Sequence, residues 1–333
     1  MYKYSYLDVM PKIRVYEKKL IDNLIIDRML STNNMNELFR MLSETNYSKN
    51  TSEVIDHLNY EKILMKELKN LFNEMSYILS NSNLIDVFTL KYFYNNLKVM
   101  LKSKFLNINL SNLIFEFNSI NNLGIYEALY NDNYRYLNER IKNIIKFLVN
   151  DFDHNRDITN IDIMLDKFMF EDLKQKVYEI GDNFLINYAD KLIDIFNIKT
   201  IFRIKKLKLD KKILGSVVCV PGSIDLEKIK LLFLESNDNL LIRFSDIEIY
   251  KYIKNGIEKF INDDDVGLLE IELDNYLMNF LKNQKIYTSG LSPIIGYINA
   301  KETEIRNVRL IIMGKINNIP SETIKGRLIL GYV

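Results

Sequence analysis

Apolar residues return every three or four positions along almost the whole chain, the spacing that gives a helix one buried face. Ile13, Tyr16, Leu20 and Leu24 set this period early in a stretch spanning 2–44. The polar run from Ser31 to Glu37 interrupts it and supplies capping side chains for a helix over Leu38, Met41 and Leu42. The same spacing predicts helices over 61–79, closed by a polar turn at 80–83, and over 86–104. It continues through 125–150 and 163–210, with a break near Asp153–Asp157. Further helices are predicted over 226–234, 248–262, 268–285 and 294–316, and a short one opens at Pro320 and Ser321. The least helical stretch, 215–222, reads either as a short extended piece or as a loop linking domains. The chain has only 11 Gly and 4 Pro in 333 residues, too few for the many turns of a β-rich fold, so the expected class is all-α.

Three of these helices share an element, Asn–aliphatic–basic. It reads Asn96-Leu97-Lys98, Asn197-Ile198-Lys199 and Asn307-Val308-Arg309, spaced by 101 and then 110 residues. The neighbours agree in register. Two positions earlier stand Tyr94, Ile195 and Ile305; four later, Met100, Ile201 and Ile311; five later, Leu101, Phe202 and Ile312. An apolar stripe therefore runs beside each Asn. Asn is a poor mid-helix residue, because its amide competes for backbone groups. Three in register point to buried amides, each bonded to the backbone of a neighbouring helix end within its own domain; the alternative is coincidence in an Asn-rich chain. Asp194 and Glu304 precede their Asn by three residues, where they can contact and orient it, whereas the first copy has Phe93 there. On the buried reading, Asn197→Ala costs about 1–3 kcal/mol. The expected architecture is three similar helical domains, at 1–105, 106–212 and 213–333.

Composition narrows the function by exclusion. A 47% apolar share is enough for a sizeable core, and a net charge of +1 lacks the basic excess of a nucleic-acid binder. A single cysteine, Cys219, permits no intramolecular disulfide and reads as a buried structural thiol. The charged N-terminus has no signal-peptide core, and the longest apolar runs, such as 310–313, fall far short of the ~20 residues of a membrane helix, so any membrane role is peripheral. No phosphate-binding loop pattern occurs, which argues against ATP hydrolysis by this chain. His57 and His154 stand in no metal-ligand spacing and read as surface or loop residues. Asp263-Asp264-Asp265 reads as a loop capping the next helix rather than a cation site. Tyr92, Phe93 and Tyr94 read as core. The basic run 203–212 is either a face for anionic headgroups or an acidic partner, or a solvated helix C-terminus. No catalytic, cofactor or metal residue is assigned. The residues singled out are those of the repeat: Asn96, Lys98, Asp194, Asn197, Lys199, Glu304, Asn307 and Arg309.

The stretch Pro293-Ile-Ile-Gly-Tyr-Ile-Asn-Ala-Lys-Glu-Thr-Glu-Ile-Arg-Asn-Val-Arg309 resembles a motif of the V-type ATPase/ATP synthase C subunits, the equivalents of the eukaryotic d subunit. Leu165-Asp166-Lys167, Asp194–Thr200 with Arg203, the opening Tyr4-Ser-Tyr6 with Lys12-Ile-Arg14, and Thr45-Asn-Tyr47 add to the resemblance, which spans essentially the whole chain. Lys91–Lys98 is similar to a family stretch K-Y-D-x-H-N-L-K, with Phe93 and Asn95 standing where the family has Asp and His. The resemblance implies three helical domains about a pseudo-threefold axis, in a funnel on the cytoplasmic face of the membrane. It implies a non-catalytic member of the central stalk that couples the D and F shaft subunits to the proteolipid ring during H+ or Na+ transport. Neither nucleic acid nor a small-molecule substrate is expected. The rival readings are a helical adaptor of another membrane-associated complex, and an enzyme whose site forms only in three dimensions. Units of about 100 residues are far longer than the helix pairs of common solenoids.

Overall fold

The computed structural model describes residues 6, 8–48, 59–79, 82–208 and 220–333, which form helices and connections with no strand among them. Tyr4, Ser5, His57, the start of the turn at 80–83, the end of the basic run at 209–212, and residues 215–219 with Cys219 lie outside the described residues. Fifteen α-helices are described: α1 (Met10–Glu17), α2 (Asn23–Ser31), α3 (Met35–Ser43), α4 (Tyr60–Ile78), α5 (Ser82–Leu106), α6 (Asn122–Tyr130), α7 (Glu139–Asn155), α8 (Ile158–Ile180), α9 (Asn183–Leu207), α10 (Leu226–Leu234), α11 (Leu240–Phe244), α12 (Tyr250–Asp263), α13 (Gly267–Lys282), α14 (Ser292–Ile316) and α15 (Ser321–Lys325).

The periodic stretches are cut more often than their apolar spacing predicts, and capping explains each cut. The 163–210 stretch divides because Gly181 adopts a left-handed φ of 70° and the Asp182 carboxylate accepts Leu185 N. The 125–150 stretch divides into α6 and α7, where Asn138 accepts Ile141 N at 2.9 Å. In the first 44 residues, Asp22 accepts Ile25 N and starts α2 in the middle of the apolar period. Asp265 accepts Gly267 N at 2.8 Å at the head of α13, the capping role expected of the Asp263–Asp265 loop.

Contacts gather the chain into two compact units. One holds α1–α3, the first part of α4, α9 and α10–α15; the other holds the rest of α4 with α5–α8. In the first, α9 and α14 are buried on almost every side, and Phe202 packs on Phe244 and Phe260 at ring separations of 5.6 and 4.9 Å. The α12–α13 pair crosses so closely that a Cβ on Gly256 would collide with the Leu269 backbone. In the second unit α5 runs along α8 and α6, and Tyr92 joins Phe72, Phe115 and Phe117 in an aromatic cluster with rings 4.7–5.5 Å apart. The first unit therefore centres on two long helices bearing the repeated Asn element, α9 and α14, and the second on one, α5.

Candidate functional site

The three Asn-bearing helices, α5, α9 and α14, are each 25 residues long. Asn96 donates from Nδ2 to Phe115 O at 2.7 Å and accepts Phe115 N at Oδ1 at 2.8 Å. Asn307 makes the same pair with Ile329, at 2.8 and 3.0 Å. One amide thus satisfies both polar groups of one residue, Phe115 in the connection after α5 and Ile329 in the stretch after α15. Buried peptide groups left unpaired are costly, and the Asn amide carries the matching donor and acceptor. The clamped residue lies in an irregular stretch rather than at a helix end, and Phe115 falls beyond the boundary expected at 105, so the Asn96 bond does not stay within 1–105. Asn197 occupies the matching place on α9 and is fully buried.

Asp194 and Glu304 each accept backbone N–H groups ahead of a helix. Asp194 accepts Ser223 N at 3.0 Å, Ile224 N at 3.1 Å and the Ser223 hydroxyl. Glu304 accepts Ile21 N at 2.5 Å and the Tyr47 hydroxyl at 3.0 Å. Ile224 and Ile21 hold the same position, directly before the N-caps Asp225 of α10 and Asp22 of α2. Backbone N–H groups ahead of a helix attract a carboxylate more strongly than a satisfied amide does. The copy with Phe93 meets the same need differently. Ile120 N, before the N-cap Asn121 of α6, donates to Phe117 O at 3.0 Å, and the Ser119 hydroxyl reaches Thr89 Oγ1 at 3.3 Å.

Burial raises the pKa of Asp194 above the usual aspartate value, and the hydrogen bonds from Ser223 and Ile224 oppose that shift. The folded state then holds this proton more tightly than the unfolded chain does. The contribution of Asp194 is therefore favourable below the ordinary aspartate pKa and declines as pH rises through the raised value. Asp194→Asn should accordingly compare better with the parent protein at neutral than at acidic pH, in paired urea titrations. A difference independent of pH would contradict this.

The basic member of each element reaches across to another helix. Lys98 pairs with Asp166 of α8 at 2.6 Å, Lys199 with Asp274 of α13 at 2.5 Å, and Arg309 with Glu61 of α4 at 2.8 Å. One turn further on, Lys102 meets Asp162 and Arg203 meets Glu270, each at 2.6 Å, so two of the three contacts are two-rung antiparallel ladders. Lys199→Met should cost only about 1 kcal/mol in a melting experiment, because Arg306 also holds Asp274 at 2.9 Å and keeps it paired. A loss of several kcal/mol would show that Lys199 alone neutralises that carboxylate.

A further repeated residue stands eight positions after each Asn. Lys104 donates to Leu129 O, Lys205 to Glu235 O at 2.6 Å and Lys315 to Leu30 O at 2.5 Å. Each ammonium thereby sits on carbonyl groups at the C-terminal end of a nine-residue helix, α6, α10 or α2, where the macrodipole favours positive charge. The same alignment on Asn exposes this lysine in the sequence if it is carried past the apolar stripe.

One copy carries a buried charge centre. Lys301, 3% exposed, lies 2.8 Å from Glu67 and 2.6 Å from Glu304. Burial disfavours its ammonium form, but Glu304 and then Glu67 outweigh that and raise its pKa above the lysine value. Burial foremost, and then the charge of Glu304, push the Tyr47 hydroxyl well above the tyrosine range. Lys191 holds the matching position on α9 and donates to the Tyr276 hydroxyl at 2.6 Å. Lysine three residues ahead of the acid is legible in both copies, whereas Glu67 is far away in sequence and has no local cue.

The repeated side chains are spent on clamps, caps and ion pairs between elements. Among the described residues no group of three or more His, Cys, Asp or Glu is placed to hold a metal ion, and no helix is long and apolar enough to cross a membrane. His154 is exposed, with Nδ1 2.7 Å from Asn150 O. Comparisons with known proteins show what the chain is similar to. The chain is 25% identical to the C subunit of the A-type ATP synthase of Methanocaldococcus jannaschii, covering 98% of this chain and 86% of that protein. It is 23% identical to the C subunit of the V-type sodium ATPase of Enterococcus hirae, over 97% and 98% of the two chains. A 29% identity to the C subunit of the A-type ATP synthase of Methanosphaera stadtmanae covers 56% of this chain and 50% of that one. The sequence matches the ATP synthase (C/AC39) subunit family over residues 9–327, and the chain belongs to that family.

Proposed function

We propose that the chain is the non-catalytic coupler of a rotary A/V-type ATPase, seated at the cytoplasmic face of the membrane between the D and F shaft subunits and the proteolipid ring. ATP hydrolysis in the catalytic head turns the shaft, the chain passes the torque to the ring, and the ring moves H+ or Na+; reversal makes ATP. The domains are the three repeats, 1–105, 106–212 and 213–333, about a pseudo-threefold axis in a funnel. The observation that carries this reading is the recurrence, in all three copies, of the ion pair made by the basic member and of the lysine on the C-terminal end of a nine-residue helix, with an amide clamp and an acid grip in two copies each among the described residues. It includes the grip of Glu304, in the last copy, on Ile21 N in the first. Fastening the last repeat to the first resists twisting in a way that an open stack does not. Densely packed helices transmit strain rather than absorb it, and stiffness is what a torque adaptor requires.

The test is affinity capture of the tagged chain from detergent-solubilised native membranes, followed by mass spectrometry. The proteolipid together with the D and F shaft subunits is the expected catch. Recovery of a folded, helical chain with neither would reject the coupler and leave an adaptor of another complex.

A further inference from the structure

The stretch after the amide clamp is continuous in the α5 copy and split in the α14 copy. Beside α5, four residues, Glu116–Ser119, lead from the clamped Phe115 to Ile120, which stands before the N-cap Asn121 of α6. Beside α14, four residues, Leu330–Val333, follow the clamped Ile329. The residue before the N-cap of α2 is Ile21, 283 positions from Glu304 in sequence, so no peptide leads from 333 to 21. The two stretches meet all the same. A Cβ on Gly331 would lie 3.1 Å from Asn23 Oδ1. Leu20, Ile21 and Asn23 line one cavity of about 360 Å3 together with Gly331, Tyr332 and Val333.

Non-covalent contacts therefore close this copy, and Tyr332 makes most of them. Its side chain is buried in a notch left by Gly296 of α14, where a Cβ would come within 2.5 Å of the Tyr332 hydroxyl. The hydroxyl donates to Glu17 Oε1 of α1 at 3.2 Å, and Glu17 is itself paired with Arg14 at 2.7 Å. Burial, and then the charge of Glu17, raise the pKa of this phenol and keep it a donor. Lys285, in the connection between α13 and α14, donates to Tyr332 O at 2.6 Å, with its ammonium 4.2 Å from the ring centre. Leu330 N donates to Asn275 Oδ1 of α13 at 2.8 Å.

Beyond Ile329, Tyr332 is the one buried side chain; Leu330 and Val333 are 44% and 37% exposed. The cavity deprives the segment of packing partners on one side. A stretch with few buried contacts opens at lower free energy than the fold around it.

We propose that residues 330–333 are a latch. It opens while the rest of its unit stays folded, and opening uncovers the cavity and the end of α1 over residues 17–20. Ile21 stays in the grip of Glu304 and Ile329 stays in the clamp of Asn307, so the chain hinges between Ile329 and Leu330.

The test is hydrogen exchange on the purified full chain carrying Asn23→Cys and Gly331→Cys, with Cys219→Ser, compared in its oxidised and reduced states. The two positions are near enough for a disulfide, which holds the latch shut. Oxidation should slow exchange at the amides of Lys18, Lys19 and Leu20 by about tenfold or more, with α6 and α10 unchanged. In the otherwise unchanged chain, Tyr332→Ala should speed the same three amides by a similar factor, while Ile21 and Ile329 keep their protection. If Tyr332→Ala does not fold, the cysteine pair decides alone, because both of its states are the same chain. Failure of the pair to cross-link would overturn the proposal, as would equal exchange in the two states. Acceleration by Tyr332→Ala spread evenly over α6 and α10 would also overturn it, since the segment would then open only with the whole fold.

Discussion

Lys301→Met is expected to destabilise the protein by about 3–5 kcal/mol at neutral pH, the cost of leaving buried charge unpaired. The methionine fills much of the volume but leaves Glu67 and Glu304 facing one another with no cation between them. The two carboxylates then repel one another with no cation to offset them. Adding Glu67→Leu removes one of the two orphaned charges and should recover part of the loss, with Glu304 still held by Ile21 N and the Tyr47 hydroxyl. In the parent protein the raised pKa of Lys301 makes its contribution fully present below the ordinary lysine range. It is lost only as pH rises through the still higher folded value. Urea titrations at neutral and at alkaline pH measure these effects. A loss below about 1 kcal/mol for the single variant would mean that water reaches the centre and solvates the two carboxylates.

Asn307→Ala is expected to cost about 2–4 kcal/mol, since both clamp bonds go and the Ile329 peptide group is left unpaired in a buried place. The loss should be local before it is global. The Ile329 amide should lose hydrogen-exchange protection, whereas the Ile21 amide, held by Glu304, should keep its own. Asn307→Asp keeps the acceptor for Ile329 N but sets a buried carboxylate oxygen against Ile329 O, so at neutral pH it should cost at least as much as the alanine variant. Unchanged exchange at Ile329 in the alanine variant would show that the clamp adds nothing to the packing around it.

Where the sequence could be read and where it could not follows the range of the interactions. The α10 boundaries fall at the positions the apolar period predicts, and α14 differs by two residues at its start, because both helices are bounded by local breaks. The cuts at Asp22, Gly181 and Asn138 interrupt an unbroken apolar period, since one capping side chain decides them and periodicity does not register it. The repeated Asn was legible because a helix-interior Asn contradicts local propensity three times in register. The targets of Asp194 and Glu304 were not legible: Ser223 lies 29 residues away and Ile21 lies 283, and neither is marked by anything near the acid in sequence. Glu67 was out of reach for the same reason. The repeated lysine at Lys104, Lys205 and Lys315 was within reach and lay just beyond the apolar stripe on which the copies were aligned.

Coupling itself is the central claim, and inverted membrane vesicles carrying the rotary complex measure it most directly. With this chain removed, ATP hydrolysis by the head should continue while ATP-driven ion uptake disappears, and adding back the purified chain should restore uptake. Ion uptake that persists undiminished without the chain would contradict the account.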